Sequence, residues 1–477
     1  MRRIVFLLTT LLTAMVLASA GILAAQTAPA EQPNILFVMT DDQPKDTLLA
    51  MPKVRERIVN QGLNLTNAYV SESLCCPSRA TILTGQYPHN TQVMRNGPPK
   101  GGHETFVAQG LEDDNVGHWL REAGYTTGFV GKYMNGYDAS YKPPGWSYWY
   151  AKADGNTPGE RVNNNGPTKN LAGDGKTWTD RFTPKATGFL DRSTDAASDA
   201  PFALFFWPTQ PHLEAGDYAE RYADLYRNEP LNPKPSFDEA DVSDKPQWIR
   251  ELPRIGEAKT DQLRQWRRNQ LRSLRQVDDA VGKVLDLLAK RGELENTYVV
   301  YTTDNGTGMG DHRWFNNHGM KQTPYEEAAN VYLFVRGPDV PEGGLERKLA
   351  LNNDFAPTFV DVADGRVPGT VDGRSLLPIL RGDPATWRTA VMNERPINAG
   401  HGITPYHAII TERYTYAEYT NGDRELYDRK EDPYQLRSQH NNPETRALRD
   451  ELSRKLADLK MCAVDAAKQC QTAENVP

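Results

Sequence analysis

Asn34-Ile35-Leu36-Phe37-Val38-Met39-Thr40-Asp41-Asp42 places five apolar side chains in an unbroken run and follows them with two carboxylates. A strand that alternated apolar and polar residues would have one wet face; this one is apolar on both, as in a parallel strand covered by helices above and below. Three more short runs have the same form: Thr127 to Val130 before Lys132, Ala203 to Trp207 before His212, and Tyr298 to Thr302 before Asp304 and Asn305. Open α/β sheets bind ligands beyond the carboxyl ends of their strands, so these polar groups are predicted to meet in one cleft. The fold class that follows is α/β, a mostly parallel sheet between helices.

Outward from the strands, Leu271, Leu274, Val277, Val281, Val284, Leu285 and Leu288 recur at threes and fours up to Gly292, the pattern of an amphipathic helix. The arginines near its start (Arg264, Arg267, Arg268, Arg272, Arg275) are read as a solvated face. Residues 154–175, rich in Gly and Asn, are read as a long surface loop. Trp146 and Trp149 just before it are assigned to core packing, with a sugar-stacking platform as the alternative. Past about Pro384 the pattern becomes a small antiparallel unit: Ile409 to Tyr419, a turn at Asn421-Gly422, then Arg424 to Asp428. Asn442 is placed as the cap and Pro443 as the opening of a last helix, with Leu448, Leu452, Leu456 and Leu459 on one face. The expected layout is a leader at 1–25, a catalytic domain at 33–384 and a C-terminal α+β subdomain at 385–477.

The chain has 477 residues, 38% of them hydrophobic and 25% charged, which suits a globular protein with a large core. Its net charge of −7 gives no reason to expect a nucleic-acid partner. Arg2 and Arg3, the apolar run Ile4 to Leu17 and the small residues Ala18, Ser19 and Ala20 read as a secretory signal. Threonines at 9, 10 and 13 break the run, so no stable membrane span is expected and the protein is placed outside the cytoplasm, secreted or periplasmic. Four cysteines are too few for a disulfide scaffold. Cys462 and Cys470 are close enough for a small clamp, whereas Cys75 and Cys76, as neighbours, are poorly placed to bridge each other.

The chemistry is concentrated in a few places. Asp41, Asp42, Asp304 and Asn305 are hard oxygen donors at two strand ends, suited to Ca²⁺, with Mg²⁺ as the alternative, rather than to zinc. Between them in the chain, Pro77 is placed at N1 and Gly85 as the stop of a short helix, which sets Cys75 at the anion-attracting N-terminal end. The run Cys75-Cys76-Pro77-Ser78-Arg79, with Thr84-Gly85 downstream, resembles the signature of the sulfatase family. NILFVMTDD (34–42), GYTTGFVGKY (124–133), Pro211-His212, and Asp304-Asn305-Gly306 with Lys321 and Tyr325-Glu326 resemble the remaining family segments in order.

The resemblance implies an alkaline phosphatase-like core. It also implies that Cys75 is oxidised by a formylglycine-generating enzyme to formylglycine, an aldehyde whose hydrate is the nucleophile and which, with Asp41, Asp42, Asp304 and Asn305, contacts the divalent metal. One hydroxyl of the hydrate would bond to sulfur, and the second would reform the aldehyde and expel sulfate. Arg79, Lys132, His212 and Lys321 are the implied catalytic residues. Lys132, Lys321, His212 and His312 would contact the sulfate, and His212 or Lys321 would protonate the leaving oxygen. His89 is read as structural. Many sulfatases carry a His two residues after the lysine that matches Lys132; here Met134 stands there, followed by Asn135. GKYMNGY and YKPPGW (141–146) look most like the N-acetylglucosamine-6-sulfatase and extracellular endosulfatase branch, which implies sulfated amino sugars or glycans; an aryl sulfate is the alternative substrate. The rival readings are a phosphonate or phosphate ester hydrolase of the same superfamily, a non-catalytic binder of sulfated glycans, and a redox protein using Cys75 and Cys76.

Overall fold

The computed structural model describes residues 32–154, 160–195, 200–212, 216–315, 321–382, 386–462 and 467–475. The leader at 1–25 lies outside them, as does the boundary placed between 384 and 385. In chain order the strands are β1 (Asn34–Thr40), β2 (Leu63–Leu65), β3 (Ala68–Tyr69), β4 (Thr126–Lys132), β5 (Tyr148–Lys152), β6 (Arg161–Asn164), β7 (Thr168–Asn170) and β8 (Phe202–Trp207). They continue as β9 (Thr297–Thr303), β10 (Leu333–Arg336), β11 (Gly344–Glu346), β12 (Ala350–Leu351), β13 (Ala390–Arg395), β14 (Tyr406–Thr411), β15 (Tyr414–Tyr419) and β16 (Arg424–Asp428).

One sheet runs β11-β2-β10-β9-β1-β8-β4-β5-β6-β7. Its centre is parallel: β1 pairs with β8 and β9, and β4 with β8 and β5, while β10 and β6 join antiparallel. The unbroken apolar run of β1 is explained by its two faces. Ile35, Phe37 and Met39 enter one hydrophobic layer and Leu36 and Val38 the other, all fully buried. The first layer is closed by the helices Cys75–Thr84, Val116–Glu122 and Phe355–Val362, the second by Trp178–Ser193 and Glu257–Arg291. A separate antiparallel sheet, β13-β14-β15-β16, is covered by the helix Arg446–Met461 through Leu452, Leu456 and Leu459. A disulfide joins Cys462 to Cys470.

Several sequence expectations need correction. Residues 161–170 form a hairpin, β6 with β7, at the edge of the main sheet. Its strands are polar because they lie at an edge, and the Asn165-Gly166 turn, both residues at positive φ, was the available signal. The arginine face is not wholly solvated: Arg267 and Arg272 are buried, the former paired with Asp46 at 2.7 Å and the latter donating to the Leu225 carbonyl. The helix that carries them begins at Glu257, and acids on or near it neutralise the charge. Thr411 and Tyr414 end and begin separate strands, so 409–419 is a hairpin rather than one run. Pro443 opens a 3-10 turn capped by Asn442 before the helix proper, and a further helix, Ala467–Ala473, follows it. Trp146 and Trp149 are buried against Phe129, as core residues.

Candidate active site

The strand ends converge as their polar tails predict. Asp41 follows β1 and its amide donates to the Gln210 carbonyl beyond β8; the Asp304 amide donates to Thr40. Lys132 is the last residue of β4, and His212 follows β8. Between them sits the N-terminus of the Cys75–Thr84 helix, whose residues are all buried. It begins at Cys75, two residues earlier than the proline suggests. Pro77 is tolerated there because first-turn amides have no partner inside the helix. Gly85 ends it at φ 71°.

Around Cys75 the charges alternate. Its Sγ is 3.5 Å from Lys321 Nζ, 3.8 Å from an Asp41 oxygen and 3.9 Å from an Asp42 oxygen. Lys132 Nζ donates to Asp41 and Lys321 Nζ to Asp42, each at 2.6 Å. His212 Nε2 is 3.4 Å from Asp42. Arg79 donates through Nε to Asp304 Oδ2 at 2.9 Å and through Nη1 to the Lys132 carbonyl at 2.6 Å, and its Nη2 lies 3.6 Å from Asp41. Asp304 Oδ1 accepts the amides of Asp42 and Asn305, and Ser78 Oγ donates to its carbonyl. Three buried carboxylates thus face three buried cations.

These neighbours decide the protonation states. Burial alone would raise the Asp41 carboxyl, but Lys132 and Arg79 outweigh it and hold the group well below the usual carboxylate range. Asp42 is lowered in the same way by Lys321 and His212. At Asp304, burial and then the Asp41 charge win over Arg79 and push it up to about 7. Burial pushes the Cys75 thiol up despite Lys132 and Lys321, and lowers His212 despite Asp42. Lys132 and Lys321 are raised: burial works against their charge, but Asp41 and Asp42 respectively prevail.

Ligand atoms from Asp41, Asp42, Cys75 and His212 lie within 4.8 Å of one another, the spacing of a possible metal site. Asp304 and Asn305 stand beside it: Asn305 Nδ2 donates to Asp42 Oδ1 at 2.7 Å, and its Oδ1 is buried without a hydrogen-bond partner. An orphaned amide oxygen among buried carboxylates fits a hard divalent cation.

Above this floor opens a cleft of about 500 Å³ that Asp41, Lys132, His212 and Lys321 line. His312 is not among its lining residues; it is buried, with Nδ1 2.7 Å from Glu239 and its ring stacked on Tyr325. Sequence reasoning missed other lining residues, among them Asn96, Trp178, Asp217 and Gln322. Gln322 adjoins a residue already singled out, whereas Asn96 and Asp217 are single polar residues with no local pattern to mark them.

Comparison with known proteins adds two family matches: the model described as "Sulfatase" over residues 33–365, and "N-sulphoglucosamine sulphohydrolase, C-terminal" over 310–462. The chain is 32% identical over 370 residues to the extracellular sulfatase SULF-1 homolog of Drosophila melanogaster, covering 75% of this chain and 32% of that protein. It is 32% identical over 397 residues to human N-acetylglucosamine-6-sulfatase, covering 77% and 68%. A solved structure described as in complex with its substrate D-glucosamine-2-N,6-O-disulfate superposes with a TM-score of 0.76 at 24% identity, covering 93% of this chain and 99% of that one.

Proposed function

That the chain belongs to the sulfatase family, with an alkaline phosphatase-like core, is the premise from which we propose that it hydrolyses sulfate monoesters, with sulfated amino sugars as the substrate class. The observation that carries this reading is the seat of Cys75, buried at a helix N-terminus between the Asp41 and Asp42 carboxylates and the Lys321 ammonium, of which Asp41 and Lys321 line the cleft. The substrate class is supported by the human relative and by the GKYMNGY string.

Asp41, Asp42, Asp304 and Asn305 would hold a divalent cation, assigned as Ca²⁺ with Mg²⁺ as the alternative, against residue 75. Bound there, it would supply Lewis-acid polarisation of the nucleophile and of a sulfate oxygen. Oxidised to formylglycine by a formylglycine-generating enzyme, residue 75 would offer one hydroxyl of a hydrated aldehyde to sulfur and keep the other for release of sulfate. Arg79 fixes the geometry by tying the first helical turn to Asp304 and to the end of β4. Lys132 and Lys321 bring two ammonium groups to the nonbridging oxygens, each such donor being commonly worth about 3 to 4 kcal/mol. His212 Nε2 and Lys321 Nζ both line the cleft, and either would protonate the leaving oxygen.

Export to the periplasm or medium is part of the same reading, supported by the extracellular relative and the Cys462–Cys470 disulfide. No described helix is long and apolar enough to cross a membrane. Two measurements on purified protein test the proposal together: the mass of the peptide containing Cys75, expected to show aldehyde in place of thiol, and turnover of sulfate against phosphonate monoesters. An unmodified thiol without turnover favours a binding protein; a strong preference for phosphonates favours the rival hydrolase.

A further inference from the structure

Cys76, fully buried beside the nucleophile, has no disulfide partner and no role in the chemistry above. Its polar atoms are nevertheless all used. The Cys76 amide donates to Asn96 Oδ1 at 2.9 Å, its Sγ accepts the Asn135 amide at 3.1 Å, and its thiol lies 3.5 Å from Asn135 Oδ1 as a donor. Both asparagines are half-buried and line the cleft. In each the carboxamide oxygen is taken by Cys76, so the end left to the cleft is the NH₂ donor, and neither Nδ2 has a protein acceptor among the described residues. One residue thereby fixes the orientation of two amides that would otherwise be free to flip.

We propose that Cys76 is a positioning residue that clamps Asn96 and Asn135 as a pair of neutral N–H donors, and that these donors select the acceptor oxygens of the esterified alcohol, such as sugar hydroxyls or an acyl carbonyl. Lys132, Lys321 and His212 line the same cleft and are assigned to the sulfate, so the two uncharged donors match the uncharged part of the substrate. Met134 is turned into the core, while the next residue, Asn135, reaches the cleft. The inference rests on the sulfatase reading and assigns its specificity.

The test compares kcat/KM for glucosamine-6-sulfate with that for an aryl sulfate lacking hydroxyls. Asn96→Asp and Asn135→Asp replace the donor by an acceptor at nearly constant shape. Each is expected to lower the sugar-to-aryl ratio of kcat/KM about tenfold or more, mainly through KM. Cys76→Ser, whose hydroxyl also donates and accepts, is expected to keep the ratio within about threefold, and Cys76→Ala to lower it as Asn135→Asp does, since the amide that holds Asn96 is retained in both. An equal fall on both substrates, or no fall, overturns the proposal. Asn96→Asp and Asn135→Asp in a Cys75→Ala background, read by titration with glucosamine-6-sulfate, are expected to weaken Kd about tenfold, and Cys76→Ser in that background to leave it within about threefold. That arm reads binding without turnover, so unchanged affinity in the asparagine variants sinks the clamp even if the protein proves not to be a sulfatase.

Discussion

At the scale of single residues, the site is a set of mutual dependences, and substitution should expose them. Lys132 supplies the shortest contact to Asp41, with Arg79 more distant at 3.6 Å, so Lys132→Met removes both the proposed sulfate donor and the chief counterion of a buried carboxylate. Turnover of sulfate esters is expected to fall at least about a hundredfold in kcat, with circular dichroism unchanged. Cys75→Ala removes the atom that would become the nucleophile, and near-complete loss of turnover is expected. The hard-donor set makes a third expectation: a chelator should abolish activity and lower Tm, Ca²⁺ should restore both, and indifference to the chelator would remove the cation from the reading. These residues were legible in the sequence because each stands at the end of an apolar run or inside a tight motif. Asn96 and Asp217 were not: a loop residue reveals no partner until the chain has folded around it.

Among the elements, the helix Cys75–Thr84 shows how local rules serve the site. Its last carbonyls are closed by Gly85 in the left-handed region, where a Cβ would lie 2.7 Å from Val371 Cγ1. Gly85→Ala therefore combines backbone strain with a clash and is expected to cost about 1–3 kcal/mol, read as a lower Tm. Gly110→Ala is the control: it too is at positive φ, but a Cβ there meets nothing within 4 Å, so its Tm should fall less. The four central strands were readable to within two residues at each end because a strand buried on both faces has no polar position to blur it. The same reasoning failed at β6 and β7, where edge position allows Arg, Asn, Thr and Lys to form strands that look like loop. It failed again at Arg267, because the carboxylate of Asp46 that permits its burial is 221 residues away in sequence.

Over the whole molecule, a half-buried ion pair helps to tie the small sheet to the core. His89, in the short helix Pro88–Thr91, places Nδ1 2.7 Å from Glu394 of β13, and its other ring nitrogen is 2.9 Å from the Cys462 carbonyl. The structural role assigned to His89 from sequence takes this form. Burial would lower the imidazole, but Glu394 reverses that and raises it to about 9; burial would raise Glu394, but His89 and His407 hold it down to about 2. The His89 contribution is then fully present below its ordinary value of about 6.5 and is lost as pH rises through 9; that of Glu394 is present above about 4.5 and lost as pH falls through 2. Both describe one interaction, worth on the order of 3 kcal/mol, and leave it intact between about pH 4.5 and 6.5. Measured as Tm against pH, the wild type minus His89→Gln should give a difference that is largest near pH 6 and shrinks towards pH 9. Subtracting the variant cancels carboxylates such as Asp304 that titrate in the same range. A difference that stayed constant from pH 6 to 9 would mean that His89 holds the two sheets together as a neutral hydrogen-bonding ring rather than as a cation.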